Sequence, residues 1–385
     1  MKKSLIALAA LAATASFAQS SVTVYGVADV GYKNQSITDG GATVTKSAGV
    51  ADGAMAGQRF GFRGTEDLGN GLKANFVIEQ GISMTSQTLT NARTATSAPQ
   101  VEGWTATTGA SGKSTSSLNR QSYVGLSGGF GEVRLGYQYT NLYELSTLSG
   151  FNIGSEGTNG ADTSHTFGST IVGGTRANGV TYITPTFNGF SANIQYGAAT
   201  DQITAESSTL AQTKAERTGL MLNYANGPLN VKLAHTSFKN GSAAAGTALG
   251  AYTTNVTAKL TQLGASYNFG PAILAATLNT GDDGWAGTTN TKYKSQQIGV
   301  KVPVGAFALI ATTGKADATR NAIKLTDAKQ TQFGVNYTLS KRTTVYAYMG
   351  NTKDNAADYT ANGASSATVV TDKRNSTIIG LLHTF

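Results

Sequence analysis

The chain has 385 residues and a net charge of +8, yet only 13% of its residues are charged and 47 are glycine. Its hydrophobic fraction of 40% is below that of a buried two-layer core of this size. The absence of cysteine excludes a disulfide framework and thiolate metal sites. Glycine, threonine, asparagine and tyrosine in alternation suit a barrel with a wet interior.

Residues 1–18, MKKSLIALAALAATASFA, read as a secretory signal peptide. Lys2 and Lys3 form the basic segment, residues 5–13 the apolar segment, and Ser16-Phe17-Ala18 the cleavage site. The apolar segment is too short to span a bilayer. The predicted mature domain is therefore 19–385. No later apolar run approaches the ~20 residues of a spanning helix.

Sixteen strand-like segments follow: 22–33, 54–63, 71–84, 116–126, 131–138, 179–184, 189–197, 214–224, 229–238, 258–268, 272–280, 292–302, 306–315, 329–339, 343–351 and 374–385. The pattern is plainest in QRFGFRGTEDLGNGLKANFVIE, residues 58–79. Phe60 and Phe62 alternate with Arg59, Gly61 and Arg63; Phe76 and Ile78 alternate with Asn75, Val77 and Glu79. Period-two alternation gives each strand one apolar and one polar face. In a transmembrane barrel these faces meet lipid and water respectively.

Short connections carry turn chemistry, as in Ser127-Gly128-Gly129-Phe130 and Ala225-Asn226-Gly227-Pro228. Long connections are expected at 34–53, 85–115, 139–178, 199–213, 239–257, 281–291, 316–328 and 352–373. Short turns on one side and long loops on the other match bacterial barrels, with both termini in the periplasm. The chain ends with Ile379, Leu381, His383 and Phe385 on one face. Such an ending resembles the C-terminal assembly signal of outer-membrane barrels, read by the barrel insertion machinery.

Four stretches carry a family resemblance: SSVTVYGVADVGY (20–32), RFGFRGTEDLGNGLKANF (59–76), RQSYVGLSGGFGEVRLGYQYT (120–140) and GLLHTF (380–385). With them the chain resembles the trimeric general porins of the neisserial and betaproteobacterial type. The resemblance implies an all-β fold, a 16-stranded antiparallel transmembrane β-barrel with a long third loop folded into the lumen. It also implies a homotrimer in the bacterial outer membrane, in contact with lipid and lipopolysaccharide. The activity implied is passive diffusion of small hydrophilic solutes and ions through the lumen.

On that reading the 139–178 connection narrows the pore and supplies Glu144, Glu156 and Asp162. The family pattern places arginines at the wall positions matching Arg59 and Arg120, and at the end of the third loop, best matched by Arg176. Parity turns Arg59 and Arg63 inward and permits the same for Arg120. Arg134 shares a face with Glu132 and Gln138. Asp29, Lys33, Glu79, Lys232 and Lys301 are also inward by parity. Cations on the wall facing acids on the loop create a transverse field, and uncompensated arginines raise the local anion concentration. The expected channel is anion-favouring. Many relatives carry a basic residue where Tyr137 stands, so one member of the usual cluster is missing.

Other signals lead nowhere. Gly128-Gly129-Phe130-Gly131 precedes no helix and is a hairpin turn, not a phosphate loop. His165, His235 and His383 lack metal-ligand spacing. No cofactor, metal or nucleic-acid partner is expected. A barrel enzyme needs a His with a partner near the outer rim, and His235 has no evident one. An adhesin-type barrel usually has fewer strands and a plugged lumen. A solute-specific channel needs aromatic rails, and too few luminal aromatics are legible.

Overall fold

Alternation becomes a closed wall. The computed structural model describes residues 21–39, 42–53, 55–85, 88–89, 120–146, 148, 176–200, 212–243, 254–284, 290–359 and 365–385. The expected signal peptide, residues 1–18, lies outside them. The staves are β1 (Ser21–Asp39), β2 in two halves (Ala42–Asp52 and Arg59–Gly69), β3 (Leu72–Ser83), β4 (Gln121–Gly128) and β5 (Gly131–Tyr139). A short helix α1 (Asn141–Ser146) precedes β6 (Arg176–Ile183), β7 (Phe190–Thr200), β8 (Gln212–Asn226), β9 (Leu229–Ala243) and β10 (Thr254–Asn268). Then come β11 (Ile273–Asp282), β12 (Thr291–Val304), β13 (Phe307–Arg320), β14 (Ile323–Ser340), β15 (Thr343–Tyr359) and β16 (Ser365–Thr384).

Each stave pairs antiparallel with the next, and β16 returns to β1, from Val27 opposite Thr384 to Thr38 opposite Lys373. Both halves of β2 pair with β1, so they form one stave. Thr88–Leu89 is a two-residue spur on the end of β3. The result is a closed 16-stranded antiparallel barrel, wide enough for an aqueous lumen. Among the described residues no helix is long and apolar enough to cross a membrane.

The outer face leaves large apolar side chains exposed all round, among them Val24, Val124, Ile194, Leu263, Phe333 and Ile379. In hydrocarbon that exposure is favourable. The inner face is polar. Gln262 donates to Asn279, and Asn279 to Ser295, each at 3.1 Å, forming a ladder across three staves. Aromatic rings lie flat on this wall where glycines leave room. A Cβ on Gly380 would sit 2.2 Å from the Tyr346 hydroxyl, and one on Gly334 2.1 Å from the Tyr348 ring. Flat rings line the wall without filling the lumen.

Several long connections prove shorter than the sequence suggests. Residues 34–53 are largely paired strand, with Asn34 opposite Ala48. Residues 316–328 contain a two-residue turn, Asn321 and Ala322 at φ 48° and 63°. Two-residue hairpins want positive φ at both centres, which Asn-Gly announces and Asn-Ala does not. β15 and β16 likewise extend into residues 352–373. In residues 352–373 the sequence has no regular apolar–polar alternation to mark a strand.

Between its halves β2 turns into the lumen. The Asp29 carboxylate accepts bonds from the Met55 and Ala56 amides at 2.8 and 2.9 Å and from the Tyr346 hydroxyl at 2.7 Å. Met55 packs on a luminal apolar cluster of Ala275, Ile310, Tyr346, Tyr348 and Ile378. A second inward apolar patch seats α1. Leu142 packs with Phe238, Ala258 and Leu260, and Leu145 with Met221 and Ala234. The Asn141 amide donates to Gln195 Oε1 at 2.9 Å, and Lys232 Nζ donates to the Glu144 carbonyl at 2.8 Å. The first turns of the third loop thus lie against the inner wall of β8 to β10. The rest of that loop, with Glu156 and Asp162, is outside the described residues.

The C-terminus completes the ring. Phe385 and Gly26 exchange backbone bonds at 3.1 and 3.2 Å. The Phe385 ring covers the bare face of Gly26, where a Cβ would meet it at 2.2 Å. Leu381 and Phe385 face outward, and His383 Nδ1 lies 3.0 Å from Thr343 Oγ1. Gly26→Leu should displace the ring at a cost of ~1–3 kcal/mol and lower the midpoint of heat denaturation of the folded barrel. An unchanged midpoint would mean that the ring contributes nothing at this seat. Deleting Phe385 should reduce the folded barrel recovered from the outer membrane while export continues; recovery equal to that of the intact chain would refute the role of the ending.

Candidate functional site

The charged part of the lumen is built around Glu79. It lies on β3 opposite Gly61 and Gln121, and only 5% of its side chain is exposed. An ionised carboxylate this enclosed needs several donors. Arg120 Nε donates to Oε1 at 2.6 Å, and Arg59 Nε lies 3.4 Å from Oε2. The Tyr25 hydroxyl donates at 3.0 Å and that of Tyr139 at 3.4 Å. Two guanidinium groups therefore share one carboxylate.

Each arginine is held by a second contact. Arg59 Nη1 donates to the Gly57 carbonyl at 2.8 Å, so the inward turn of β2 fixes its direction. Arg120 Nη2 donates to the Tyr139 hydroxyl at 2.6 Å. Gly57 also makes room for Arg120, since a Cβ there would stand 2.7 Å from Nη1. Arg120 precedes the first paired residue of β4, which frees its side chain from strand parity and lets it turn onto Glu79.

Aromatic faces hold the remaining cations. Tyr139 and Tyr143 stack at 3.9 Å, and the Arg176 guanidinium lies 4.8 Å from the first ring and 5.9 Å from the second. Arg63 sits 5.1 Å over Tyr25, the ring whose hydroxyl bonds Glu79. Arg over a ring face is a favourable, geometrically specific contact. Arg59, Arg120, Arg63 and Arg176 are thus linked through Glu79 and three tyrosines.

Arg134 stands apart from this linkage. It makes a two-pronged pair with Glu132, both bonds 2.8 Å, and lies 5.1 Å over Tyr123. Its charge is matched locally. Glu144 lies on α1, whose backbone carbonyl engages Lys232. Tyr137 stands opposite Ser122 and Asn178, next to Gly136 at φ 132°, where the alternation of β5 is broken.

Sequence reasoning placed Glu79 in the lumen without its central position, and did not single out Arg217. Glu79 was legible as an inward acid, but nothing local indicated that it would gather residues from β1, β2, β4 and β5. Arg217 is 2% exposed and lies 6.0 Å over Phe238, close to the seat of α1. Its stave has Leu220 and Leu222 outward and Met221 inward, so apolar residues on both faces hid its parity. Among the described residues no group of three His, Asp or Glu is placed to hold a metal ion.

What this collar can do is electrostatic. Several arginines surround one buried carboxylate on the wall of the lumen, and charge arranged in this way acts on ions by their sign.

The family model described as Gram-negative porin matches residues 5–357. Outer membrane porin protein 32 of Delftia acidovorans is 35% identical over 295 residues, covering 72% of this chain and 69% of that protein. The major outer membrane protein P.IB of Neisseria lactamica is 36% identical over 201 residues, 51% of this chain and 50% of that one. The solved anion-selective porin from Comamonas acidovorans superposes with a TM-score of 0.66 at 26% identity, covering 95% of this chain and 100% of that chain. The chain belongs to the Gram-negative porin family and is an outer-membrane channel protein.

Proposed function

We propose that this channel passes small hydrophilic solutes and ions passively and favours anions, with the Arg59–Arg120–Glu79 collar as its selectivity element. The observation that carries the reading is the sharing of one carboxylate by two guanidinium groups, which leaves a net positive charge. Arg63 and Arg176 add to it from their tyrosine faces. The solved relative whose title calls it anion-selective lends support. Glu79 takes the counter-charge role on the wall itself, and Glu144 is a further candidate from the loop. Glu156 and Asp162, on the same loop, belong to the proposal as second acids facing the collar. Arg134, neutralised by Glu132, contributes to the wall rather than to the filter.

The same proposal has the chain exported with removal of residues 1–18, assembled by the insertion machinery through the Phe385 ending, and working as a homotrimer. No step of catalysis is part of it. Arginine stays charged throughout the physiological range, so selectivity should be insensitive to pH near neutrality.

The test is the zero-current potential of the purified protein in a planar bilayer under a KCl gradient. The wild type should favour chloride. Arg59→Ser with Arg120→Ser should move the chloride-to-potassium permeability ratio towards potassium by about fivefold, the worth of roughly 1 kcal/mol for a unit charge at contact in water. Glu79→Gln should move it by a similar factor in the other direction. Identical potentials in all three proteins would remove the collar from the filter. A wild type that favours potassium would transfer control to the loop acids.

A further inference from the structure

One acid of the lumen stands outside the collar. Asp29 is 0% exposed. Its side-chain donors among the described residues are neutral: the Met55 and Ala56 amides at 2.8 and 2.9 Å and the Tyr346 hydroxyl at 2.7 Å. It therefore leaves the luminal arginines to Glu79. An enclosed carboxylate is costly to keep, and its partners show what it holds.

Those partners lie mainly in the inward turn of β2. Val27 of β1 stands opposite Arg59, and Val30 opposite Asp52. Residues 28 and 29 thus face the whole of residues 53–58, which form an enlarged bulge. Bulges re-aim side chains beside functional sites. Asp29 grips this one from end to end. Its carbonyl accepts from the Gly53 amide at 2.7 Å, where the turn begins, and from Gln58 Nε2, where it ends. Its carboxylate takes the two amides between. Gly53 permits the approach, since a Cβ there would stand 1.8 Å from Asp29 Oδ1. On its other side Gln58 is tied to the end of β3. Its carbonyl accepts from the Ile82 amide at 3.2 Å, and its Oε1 from the Met84 amide at 2.8 Å.

The turn carries Gly57, next to the gripped Ala56, and Gly57 meets both arginines of the collar. Its carbonyl accepts from Arg59 Nη1 at 2.8 Å, and a Cβ on it would stand 2.7 Å from Arg120 Nη1. The path from Asp29 to Glu79 is therefore continuous: carboxylate, Met55 and Ala56 amides, Gly57, two guanidinium groups, shared acid. Arg59 is the looser of the two on Glu79, at 3.4 Å against 2.6 Å for Arg120. It depends the more on the Gly57 carbonyl for its direction.

We infer that Asp29 is a positioning residue of the channel. It fixes residues 53–58 against β1, so that Gly57 aims Arg59 and Arg120 at the acid they share. What it contributes is acceptor oxygens in the right place, more than charge in the lumen. The inference rests on the proposed reading of the collar as the selectivity element.

The test is the zero-current potential of the full mature protein in a planar bilayer under a KCl gradient, with heat-modifiable gel migration reporting that each variant is folded. Asp29→Leu removes both acceptors. It should lower the chloride-to-potassium permeability ratio by about twofold, since a charge moved from contact to twice that distance keeps half of its interaction with a passing ion. Loss of a luminal acid would by itself change the ratio in the opposite direction. Asp29→Asn keeps an oxygen for the two amides and should hold the ratio at the wild-type value or raise it. Gly53→Ala retains the acid but crowds it off the turn. It should act as Asp29→Leu does, and it serves where the Leu variant does not fold. Asp29→Leu added to Arg59→Ser and Arg120→Ser should lower the ratio no further. A ratio raised alike by Leu and Asn would make Asp29 a plain luminal charge and overturn the inference. So would an equal drop with and without the two arginines. A shift in the double arginine variant but none in Asp29→Leu and Gly53→Ala would overturn this inference alone. No shift in the double arginine variant would instead bring down the reading of the collar, and this inference with it.

Discussion

A backbone amide placed in hydrocarbon has no water to bond, and each one left unpaired costs several kcal/mol. For a chain without a long apolar helix, that leaves a sheet with no edge. Closure of β16 onto β1 is therefore a requirement on which every other feature depends. Once the ring is closed, alternation decides everything nearby: one residue in two meets lipid, and its neighbours face the lumen. The collar of arginines is possible because half of each stave is released from apolar duty.

Within the lumen the same wall has to do two unlike things. It must stay polar enough to be wet, and it must hold the third loop and the inward turn of β2 against itself. The second task explains the inward apolar residues. Met221, Phe238 and Leu260 face the lumen because α1 covers them, and Ile310, Tyr346 and Ile378 because Met55 does. Glycine then allows close approach: Gly264 beneath Leu145 and Leu148, and Gly57 beside Arg120. The arginine collar is thus held by main chain and tyrosines as much as by charge pairing.

The fold was legible where the physics is local. Alternation in β3, β7, β10 and β14, glycine and asparagine in the short turns, and apolar residues at alternate positions up to Phe385 are properties of neighbouring residues. Arg59 and Arg63 could be assigned to the lumen by counting from Phe60 and Phe62. The rest depends on contacts between distant residues. Nothing within ten residues of Glu79 shows that Tyr25, Arg120 and Tyr139 will reach it. The break in β2 is written in the carboxylate of Asp29, on another stave. The far ends of β1, β2, β15 and β16 escaped because their runs of threonine, alanine, serine and asparagine show no regular apolar period in the sequence.

Asp29 has a consequence for how the molecule is made. Its carboxylate joins the turn of β2, formed within thirty residues of it, to Tyr346, which is 317 residues away in the chain. The local half of that contact is available as soon as the first hairpin exists. The distant half waits until β15 stands beside β16 and β16 has docked on β1. Bonds between such remote residues form late, because the loop they close is costly in entropy. An assembling chain thus carries a buried-type carboxylate that lacks one of its donors until the last seam is sealed. Tyr346 then acts as a clasp, and a barrel that stalls short of closure is left with a solvated, ill-fitting acid at its first stave.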